Sequence, residues 1–201
     1  MAVRGAELTA EKLLQATHQL MLEQGGVEPS VSQLCERAGV QVAMVSYCFG
    51  GKTQLLQALL ERAVEDVVAQ LERLAAADMP PDEKLRRHVA GVIRNFVRYP
   101  YAQRLSQTLA AGGPTVAGMG ERFARPLLEF HAELLQAGAD AGVFRPVDPT
   151  LFFFSLVGAC EFLFAGRSWL EDAAGERIDE RLIERFTEHT TELVLRGIGG
   201  G

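Results

Sequence analysis

The chain has 201 residues, of which 48% are hydrophobic and 23% are charged, and its formal net charge is −6. This length fits one domain or two small ones, and the hydrophobic content suffices for a core, which argues against intrinsic disorder. The longest strongly apolar stretch, residues 151–165, is shorter than the about 20 residues that a bilayer requires, so we predict no membrane span. Since a signal-peptide pattern is absent and Cys35, Cys48 and Cys160 are unclustered, we expect a cytoplasmic protein.

Apolar residues recur with a period near 3.6 along nearly the whole chain, which predicts an all-α fold of about nine helices. The first helix is expected from Thr9, acting as N-cap, to Glu23, before a Gly-Gly pair. Ser30 and Gln33 have the spacing of a capping box, so a short second helix is expected to begin there and to end at Gly39.

The third and fourth helices are expected over residues 41–48 and 53–76, the fourth being long and amphipathic. Pro100 interrupts the helical pattern after the fifth helix, and the sixth follows it. Residues 112–120 are rich in glycine and other small side chains, so we predict a flexible loop that acts as a lid.

A seventh helix follows this loop. The eighth begins with Asp148 as N-cap and Pro149 at the first helical position, which is a strong start signal. We expect the eighth helix to contain residues 152–169 and the ninth to contain residues 183–195.

Two short helices joined by a glycine-containing turn, with a longer helix on each side, are typical of a helix-turn-helix module. Its residues here are Ser30-Val31, Leu34-Cys35-Glu36-Arg37-Ala38-Gly39-Val40, Val45-Ser46-Tyr47-Cys48-Phe49-Gly50-Gly51-Lys52 and Leu55-Leu56. This segment, about residues 9–60, resembles the N-terminal domain of the TetR family of bacterial repressors. The resemblance implies a three-helix DNA-binding domain over residues 1–52. A larger helical domain for ligand binding and dimerisation would cover residues 53–201, with the helix over residues 53–76 as the bridge.

Seven side chains are candidates for DNA contacts: Ser30, Gln41, Val42, Met44, Ser46, Tyr47 and Lys52. Ser30 stands at a helix N-terminus, where free backbone N–H groups favour a phosphate. Gln41 can pair with an adenine edge, and Val42 and Met44 can contact a thymine methyl group. The alternative for Gln41 and Met44 is simple exposure or packing, whereas Val45 is expected in the core together with Phe49.

The resemblance implies that Tyr47 and Lys52 hold the DNA backbone. The sequence departs from the family pattern at three positions. Gln41 replaces the usual Ser or Asn cap, Ser46 stands where tyrosine or asparagine is common, and Cys48 replaces a common histidine. DNA contacts at these three positions are therefore open.

The charge balance of the N-terminal segment is unusual for a DNA-binding domain. Up to Arg62 it contains five basic and six acidic residues, whereas such domains are usually basic. Because phosphate neutralisation determines the salt dependence of binding, we predict few phosphate contacts and a shallow salt slope, unless Arg4 joins as an arm.

The remaining helices have apolar faces that must be buried. The resemblance implies a homodimer in which the last two helices of each subunit form a four-helix bundle. A mostly apolar ligand pocket is the other expected use, and its candidate residues are Phe96, Tyr99, Arg104, Phe130, His131 and Glu161. Alternatively, the aromatic residues are ordinary core, Arg167 or a partner subunit neutralises Glu161, and His131 is a half-exposed core histidine.

The resemblance implies a transcriptional regulator that binds a palindromic double-stranded operator as a dimer and is released by a small, largely apolar or aromatic effector. One alternative is a helical interaction protein without DNA binding, and another is a thiol-responsive regulator that uses Cys48. An enzyme is not expected, because the four histidines lie far apart in the sequence and no metal-ligand or phosphate-loop spacing occurs. No catalytic residue, metal site or cofactor is therefore predicted.

Overall fold

A computed structural model of the chain describes residues 2–111, 118 and 120–200. These residues form α-helices without a β-sheet. The helices are α1 (Ala2–Glu23), α2 (Val31–Ala38), α3 (Ala43–Phe49), α4 (Lys52–Ala75), α5 (Pro81–Arg98), α6 (Ala102–Ala111), α7 (Arg125–Asp140), α8 (Pro149–Ala165), α9 (Arg167–Ala174) and α10 (Glu180–Ile198), with a π-helical turn at Gly120–Ala124 before α7. The predicted all-α class is therefore confirmed. The predicted lid over residues 112–120 lies largely outside the described residues.

The N-terminus of α1 differs from the prediction, because α1 begins at Ala2 rather than near Thr9. Thr9 lies inside the helix, where its hydroxyl donates to the Gly5 carbonyl oxygen at 2.8 Å instead of capping a helix end. A Ser or Thr residue within a helix can satisfy its hydroxyl in this way, so Thr9 did not mark the start of α1.

The predicted eighth helix is divided in the structure. α8 ends at Ala165, where the N–H group of Gly166 donates to the Phe162 carbonyl oxygen at 3.0 Å, and α9 begins at Arg167. This division explains why the described residues contain ten helices instead of about nine. The predicted start of α8 is confirmed, because the Asp148 carboxylate accepts hydrogen bonds from the N–H groups of Thr150 and Leu151.

The chain forms two compact units. The first comprises Met1–Asp66 and Tyr99–Gly118, so it contains α1, α2, α3, the N-terminal part of α4, and α6. Its core lies where α2 and α3 pack on α1, and its buried apolar residues are Leu13, Leu20, Leu34, Cys35, Val45 and Leu55. The domain boundary predicted at residues 52 and 53 stays a prediction.

The second unit comprises Val67–Arg98 and Met119–Gly201. In it α5 packs against α7, α8 and α10, and α7 also packs against α8. Its buried core residues are Leu71, Leu85, Val89, Ile93, Leu127, Phe130, Leu134, Leu135, Phe144, Phe152, Leu156, Cys160 and Ile198. Among the described residues, no helix is both long and apolar enough to cross a bilayer.

One close contact in the second unit requires a glycine. A Cβ atom built on Gly138 of α7 would lie 1.8 Å from Cδ2 of Phe144, whose ring is buried in the core. The segment after α7 is also attached to the end of the chain, since Arg145 N–H donates to the Ile198 carbonyl oxygen at 2.8 Å. The Phe144 ring therefore has little room to move away from α7.

Gly138→Ala is expected to lower the free energy of unfolding by about 1–3 kcal/mol, the usual penalty for overpacking a core. Urea denaturation followed by circular dichroism measures this change. Gly5→Ala in α1 is the matched control, because no heavy atom lies within 4 Å of a Cβ atom built there. The control is expected to leave stability unchanged or to increase it slightly. Equal unfolding midpoints for Gly138→Ala and the wild type would contradict the packing described here.

Candidate functional site

The helix-turn-helix module is built by local signals around α2. The Gln33 N–H group donates to the Ser30 hydroxyl at 3.3 Å, and the Ser30 N–H group donates to the Gln33 side chain at 2.8 Å, so the predicted capping box is confirmed. α2 ends at Gly39, whose φ of 66° lies in the left-handed region that favours glycine. These caps determine where the chain leaves α2 and turns toward α3.

α3 begins later than predicted. Residue Gln41 precedes the helix, which starts at Ala43, and Val42 occupies the N-cap position without a side-chain hydrogen bond. The entry is a tight turn in which Met44 N–H donates to the Gln41 carbonyl oxygen at 2.9 Å and Val45 N–H donates to the Val42 carbonyl oxygen at 3.2 Å. Gln41 is exposed there, so its predicted DNA contact would come from the turn and not from the helix.

The two sides of α3 have different surroundings. Val45 is 2% exposed and Phe49 packs partly buried against the same core, as predicted. On the other side Tyr47 is 71% exposed, and Val42 and Ser46 are exposed as well. This arrangement leaves polar and apolar side chains available to a partner along the outer side of the module.

Met44 differs from the other candidates on α3. Its side chain is half-buried and packs against the core of the first unit. Met44 therefore contributes to packing, which is the alternative to a DNA contact that the sequence left open for this residue. Ser30 is exposed, but its hydroxyl is already the acceptor in the capping box.

Acidic side chains neutralise several basic groups of the first unit. Lys52 Nζ lies 3.2 Å from Glu28 Oε2, and Arg37 forms a bidentate pair with Glu23 at 2.7 and 2.8 Å. Hydrogen bonding to Arg37 lowers the pKa of Glu23, so this carboxylate stays ionised at neutral pH. Lys52, which is predicted to contact the DNA backbone, is therefore already paired with a carboxylate.

Arg62 is paired in the same way. It forms a bidentate ion pair with Glu11, and hydrogen bonding to Arg62 lowers the pKa of that carboxyl group. DNA phosphates would have to compete with such carboxylates for these cations. The pairing agrees with the expectation of few phosphate contacts, which stays a prediction.

The six candidate ligand residues are divided between the two units. Tyr99 and Arg104 belong to the first unit, where Arg104 is exposed on α6 and the buried Tyr99 donates a hydrogen bond to Asp66. A second tyrosine of this unit, Tyr101, lies with its hydroxyl 2.6 Å from Nδ1 of His18. Within their own unit, Tyr99 and Tyr101 thus attach the start of α6 to α4 and α1. The ligand roles of Tyr99 and Arg104 stay predictions.

The other four candidates belong to the second unit. Phe96 of α5 stacks on Phe164 of α8 with ring centroids 5.9 Å apart, and Glu161 is half-buried on α8. Phe130 and His131 are neighbours in the core, and their ring centroids are 6.1 Å apart. Three of the four are therefore aromatic rings that pack against one apolar core.

His131 is more buried than the half-exposed histidine considered from the sequence, with no exposed surface. Its Nε2 atom lies 2.7 Å from Nε2 of His88, which is 3% exposed on α5. Burial lowers the pKa of both imidazoles, to about 4 for His131, and the charge of His131 lowers the pKa of His88 further. Both rings are therefore neutral at pH 7.

Sequence reasoning missed His88 and Glu28, although a signal for His88 was present. His88 follows Leu85 by three residues and precedes Val92 by four, so it lies on the apolar stripe of its helix, as His131 does between Leu127 and Leu135. A histidine on each of two apolar stripes is the pattern that could have indicated a buried pair. The ion pair of Glu28 with Lys52 has no such signal, because the two residues are distant in sequence.

Within the described ranges, no group of three or more His, Cys, Asp or Glu side chains could hold a metal ion. Cys35 and Cys160 are buried, and burial raises the pKa of the Cys160 thiol to about 12, so this thiol stays protonated. The half-buried Cys48 has its sulfur 3.8 Å from the Ala6 carbonyl oxygen.

Several known proteins are similar to this chain in sequence or in fold. Over 101 residues it is 28% identical to the HTH-type transcriptional regulator BetI 1 of Chromohalobacter salexigens, a match that covers 50% of this chain and 48% of that protein, so only about half of this relative's length is matched. A TetR/AcrR-family regulator from Thermobifida fusca has a similar structure, with a TM-score of 0.73 and 22% identity over 94% of this chain and 97% of that one.

Two further solved structures are similar. AibR, crystallised with isovaleryl coenzyme A and operator DNA, has a TM-score of 0.70 and 20% identity over 92% of this chain and 97% of that one. The ketosteroid regulator KstR2 of Mycobacterium tuberculosis has a TM-score of 0.67 and 17% identity over 96% and 95% of the two chains. Residues 13–59 match the description "bacterial regulatory proteins, tetR family", and residues 78–200 match the tetracyclin repressor-like C-terminal domain. The chain therefore belongs to the tetR family of bacterial transcriptional regulators.

Proposed function

We propose that the chain is a cytoplasmic repressor that binds a palindromic operator as a homodimer and is released by a small, largely apolar or aromatic effector. The observation that carries the DNA-binding part is the two-sided α3, which buries Val45 and exposes Val42, Ser46 and Tyr47. In a dimer, two such helices about 34–36 Å apart would fit successive major grooves of B-DNA. AibR was crystallised with both a ligand and operator DNA, so a protein of this fold can hold both.

The exposed apolar residues of the second unit support the dimeric part of the proposal. Four large apolar side chains are exposed on α8 and α10, namely Leu151, Phe154, Phe162 and Leu193. Exposed apolar side chains grouped on two helices indicate an interface. A second copy of the chain, contributing the same two helices, would cover them in a symmetric four-helix bundle.

The effector part is supported by the aromatic core around His131. A ligand that prefers one spacing of the two recognition helices would shift the dimer toward that spacing. An effector that prefers an arrangement unsuited to successive grooves would therefore lower operator affinity.

The half-buried Cys48 leaves thiol control as a second candidate. Peroxide treatment of the wild type and of Cys48→Ser would test it by its effect on operator binding.

Tyr47→Ala is expected to weaken operator binding roughly 10- to 150-fold, because a hydrogen bond to a charged phosphate contributes about 1.5–3 kcal/mol. Fluorescence anisotropy with a labelled duplex from the DNA upstream of the protein's own gene measures the dissociation constant. Leu22→Ala is the matched control, since Leu22 is an exposed apolar residue of α1 in the same unit. A wild-type protein that binds no such duplex at low salt would contradict the proposed function itself.

Glu28→Gln is expected to strengthen operator binding and to steepen its salt dependence. Loss of the carboxylate frees the Lys52 ammonium group for a phosphate, and one more phosphate contact changes the slope of log K against log salt by about −0.9. Anisotropy titrations at several salt concentrations give this slope.

Glu23→Gln is the control for Glu28→Gln. It removes the same charge and frees Arg37, which is not among the candidate DNA-binding residues. Its slope is expected to remain close to that of the wild type. Equal slopes for Glu28→Gln and Glu23→Gln would show that only net charge matters and would contradict the role given to Lys52.

Phe154→Glu is expected to raise the dimer dissociation constant at least about 100-fold, because burying an unpaired carboxylate costs several kcal/mol. Phe154 is 65% exposed on α8 in the single chain, so the substitution leaves the fold of the subunit intact. Sedimentation velocity measures the dimer fraction over a range of concentrations. Val97→Glu on α5 is the control at an exposed apolar residue outside α8 and α10. A Phe154→Glu protein that dimerises like Val97→Glu would place the interface elsewhere.

A further inference from the structure

We propose that His88 and His131 form the polar anchor of the effector site, and that the effector is an uncharged, mainly aromatic or apolar molecule whose hydroxyl group hydrogen-bonds to Nδ1 of His131. This inference rests on the proposed function, which assigns an effector to the second unit. It adds the chemical class of the ligand and the atom that recognises it.

The first step is the hydrogen bond between the two rings. At 2.7 Å between the Nε2 atoms, one ring donates and the other accepts. His88 therefore uses its Nε2 atom to hold the ring of His131 in one orientation. We regard His88 as a positioning residue, whereas His131 would contact the ligand.

The second step is the other nitrogen of His131. In the described part of the chain, Nδ1 of His131 is buried and has no hydrogen-bond partner. Leaving a buried polar atom unpaired costs about 1–3 kcal/mol, and native proteins seldom do so without a bound water or ligand. This nitrogen is therefore the atom of the core that is suited to a polar group brought by a ligand.

The third step is the set of aromatic rings around the His131 ring. The ring centroids of Phe152, Phe130 and Phe153 lie 4.9, 6.1 and 6.1 Å from that of His131. Such surroundings favour an aromatic or apolar ligand that presents a single polar group. A strongly hydrated ligand with several polar groups would lose its hydrogen bonds to water without gaining equivalent bonds to the protein.

The fourth step is charge. The two imidazoles are neutral at pH 7, and the buried Cys160 thiol of the same core is protonated. Among the described residues of the second unit, the buried polar side chains are the two histidines, Thr190 and Thr191, so the buried side chains described there include no cation to balance a carboxylate. An ionised acid would therefore be disfavoured, and a neutral ligand would be accepted.

The final step identifies the hydroxyl group. If His131 donates through Nε2, its Nδ1 is an acceptor, and if it accepts through Nε2, its Nδ1 carries the proton and donates. A hydroxyl group satisfies either form, because it both donates and accepts. A methyl group of the same size satisfies neither.

The test uses three ligands of one shape: 2-naphthol, 2-methylnaphthalene and 2-naphthoate. Isothermal titration calorimetry with the full-length protein is expected to show at least tenfold tighter binding of 2-naphthol than of either other compound. In the wild type, 2-naphthol is also expected to shift the ¹⁵N resonance of His131 Nδ1, and 2-methylnaphthalene is not. This second readout needs no variant and so does not depend on the folding of one.

Two substitutions separate the two nitrogens of His131. His131→Asn keeps a polar atom near the position of Nδ1, and His131→Gln keeps one near the position of Nε2. The preference for 2-naphthol is expected to persist in His131→Asn and to disappear in His131→Gln. A purely structural role for His131 would affect all three ligands equally in both variants.

Several results would overturn the inference. These are equal binding of 2-naphthol and 2-methylnaphthalene, preferred binding of 2-naphthoate, no saturable binding of any of the three, or an unchanged Nδ1 resonance at saturating 2-naphthol. Operator affinity is measured in the same titrations. Tight, hydroxyl-dependent binding that leaves operator affinity unchanged would sustain the inference and contradict the effector part of the proposed function.

Discussion

The exposed side of α3, which we propose to face DNA, depends on the packing of α3 against the core of the first unit. α3 has only 7 residues, and isolated helices this short are unstable in water. Its buried side chain Val45 and the partly buried Met44 and Phe49 therefore hold the helix in place. Because these contacts use one side of so short a helix, the opposite side remains available. The exposure of Tyr47 is thus a consequence of core packing and not of the sequence of α3 alone.

Three basic side chains of the first unit are paired with carboxylates. The guanidinium groups of Arg37 and Arg62 and the ammonium group of Lys52 each face a carboxylate of their own unit. Exposed ion pairs of this kind contribute little to stability, about 0–1 kcal/mol, so they can be exchanged for phosphate contacts without unfolding the domain. Each exchange nevertheless leaves a carboxylate near the DNA. Shape complementarity and apolar contacts, from side chains such as Val42, would then supply a larger share of operator affinity than they do in a strongly basic DNA-binding domain.

Contacts between residues close in the sequence were predictable, whereas contacts between residues distant in the sequence were not. The caps at Ser30 and Asp148 were predictable, because donor and acceptor lie within three residues of each other. Thr9 was wrongly placed at a helix start, since the same hydroxyl can also bond back to the preceding turn. The pairs Lys52–Glu28 and His88–His131 join residues far apart in the chain, and no local pattern determines which partner each side chain meets. The family resemblance identified the helix-turn-helix module, but it carried no information about these two pairs, which are specific to this chain.

The proposed effector is neutral and mainly apolar, so the free energy that drives the proposed switch would come mainly from burial of apolar surface. Moving a two-state protein from almost fully bound to almost fully released requires about 5.5 kcal/mol of differential ligand binding. At about 25 cal/mol per Å² of apolar surface, that corresponds to about 220 Å², similar to the roughly 150–250 Å² buried by a large aromatic side chain. A two-ring ligand can therefore supply the shift only if most of its burial energy is gained in the released arrangement. An operator complex with few phosphate contacts would need a smaller shift, so the predicted weak electrostatics of DNA binding and the proposed neutral effector are compatible with each other.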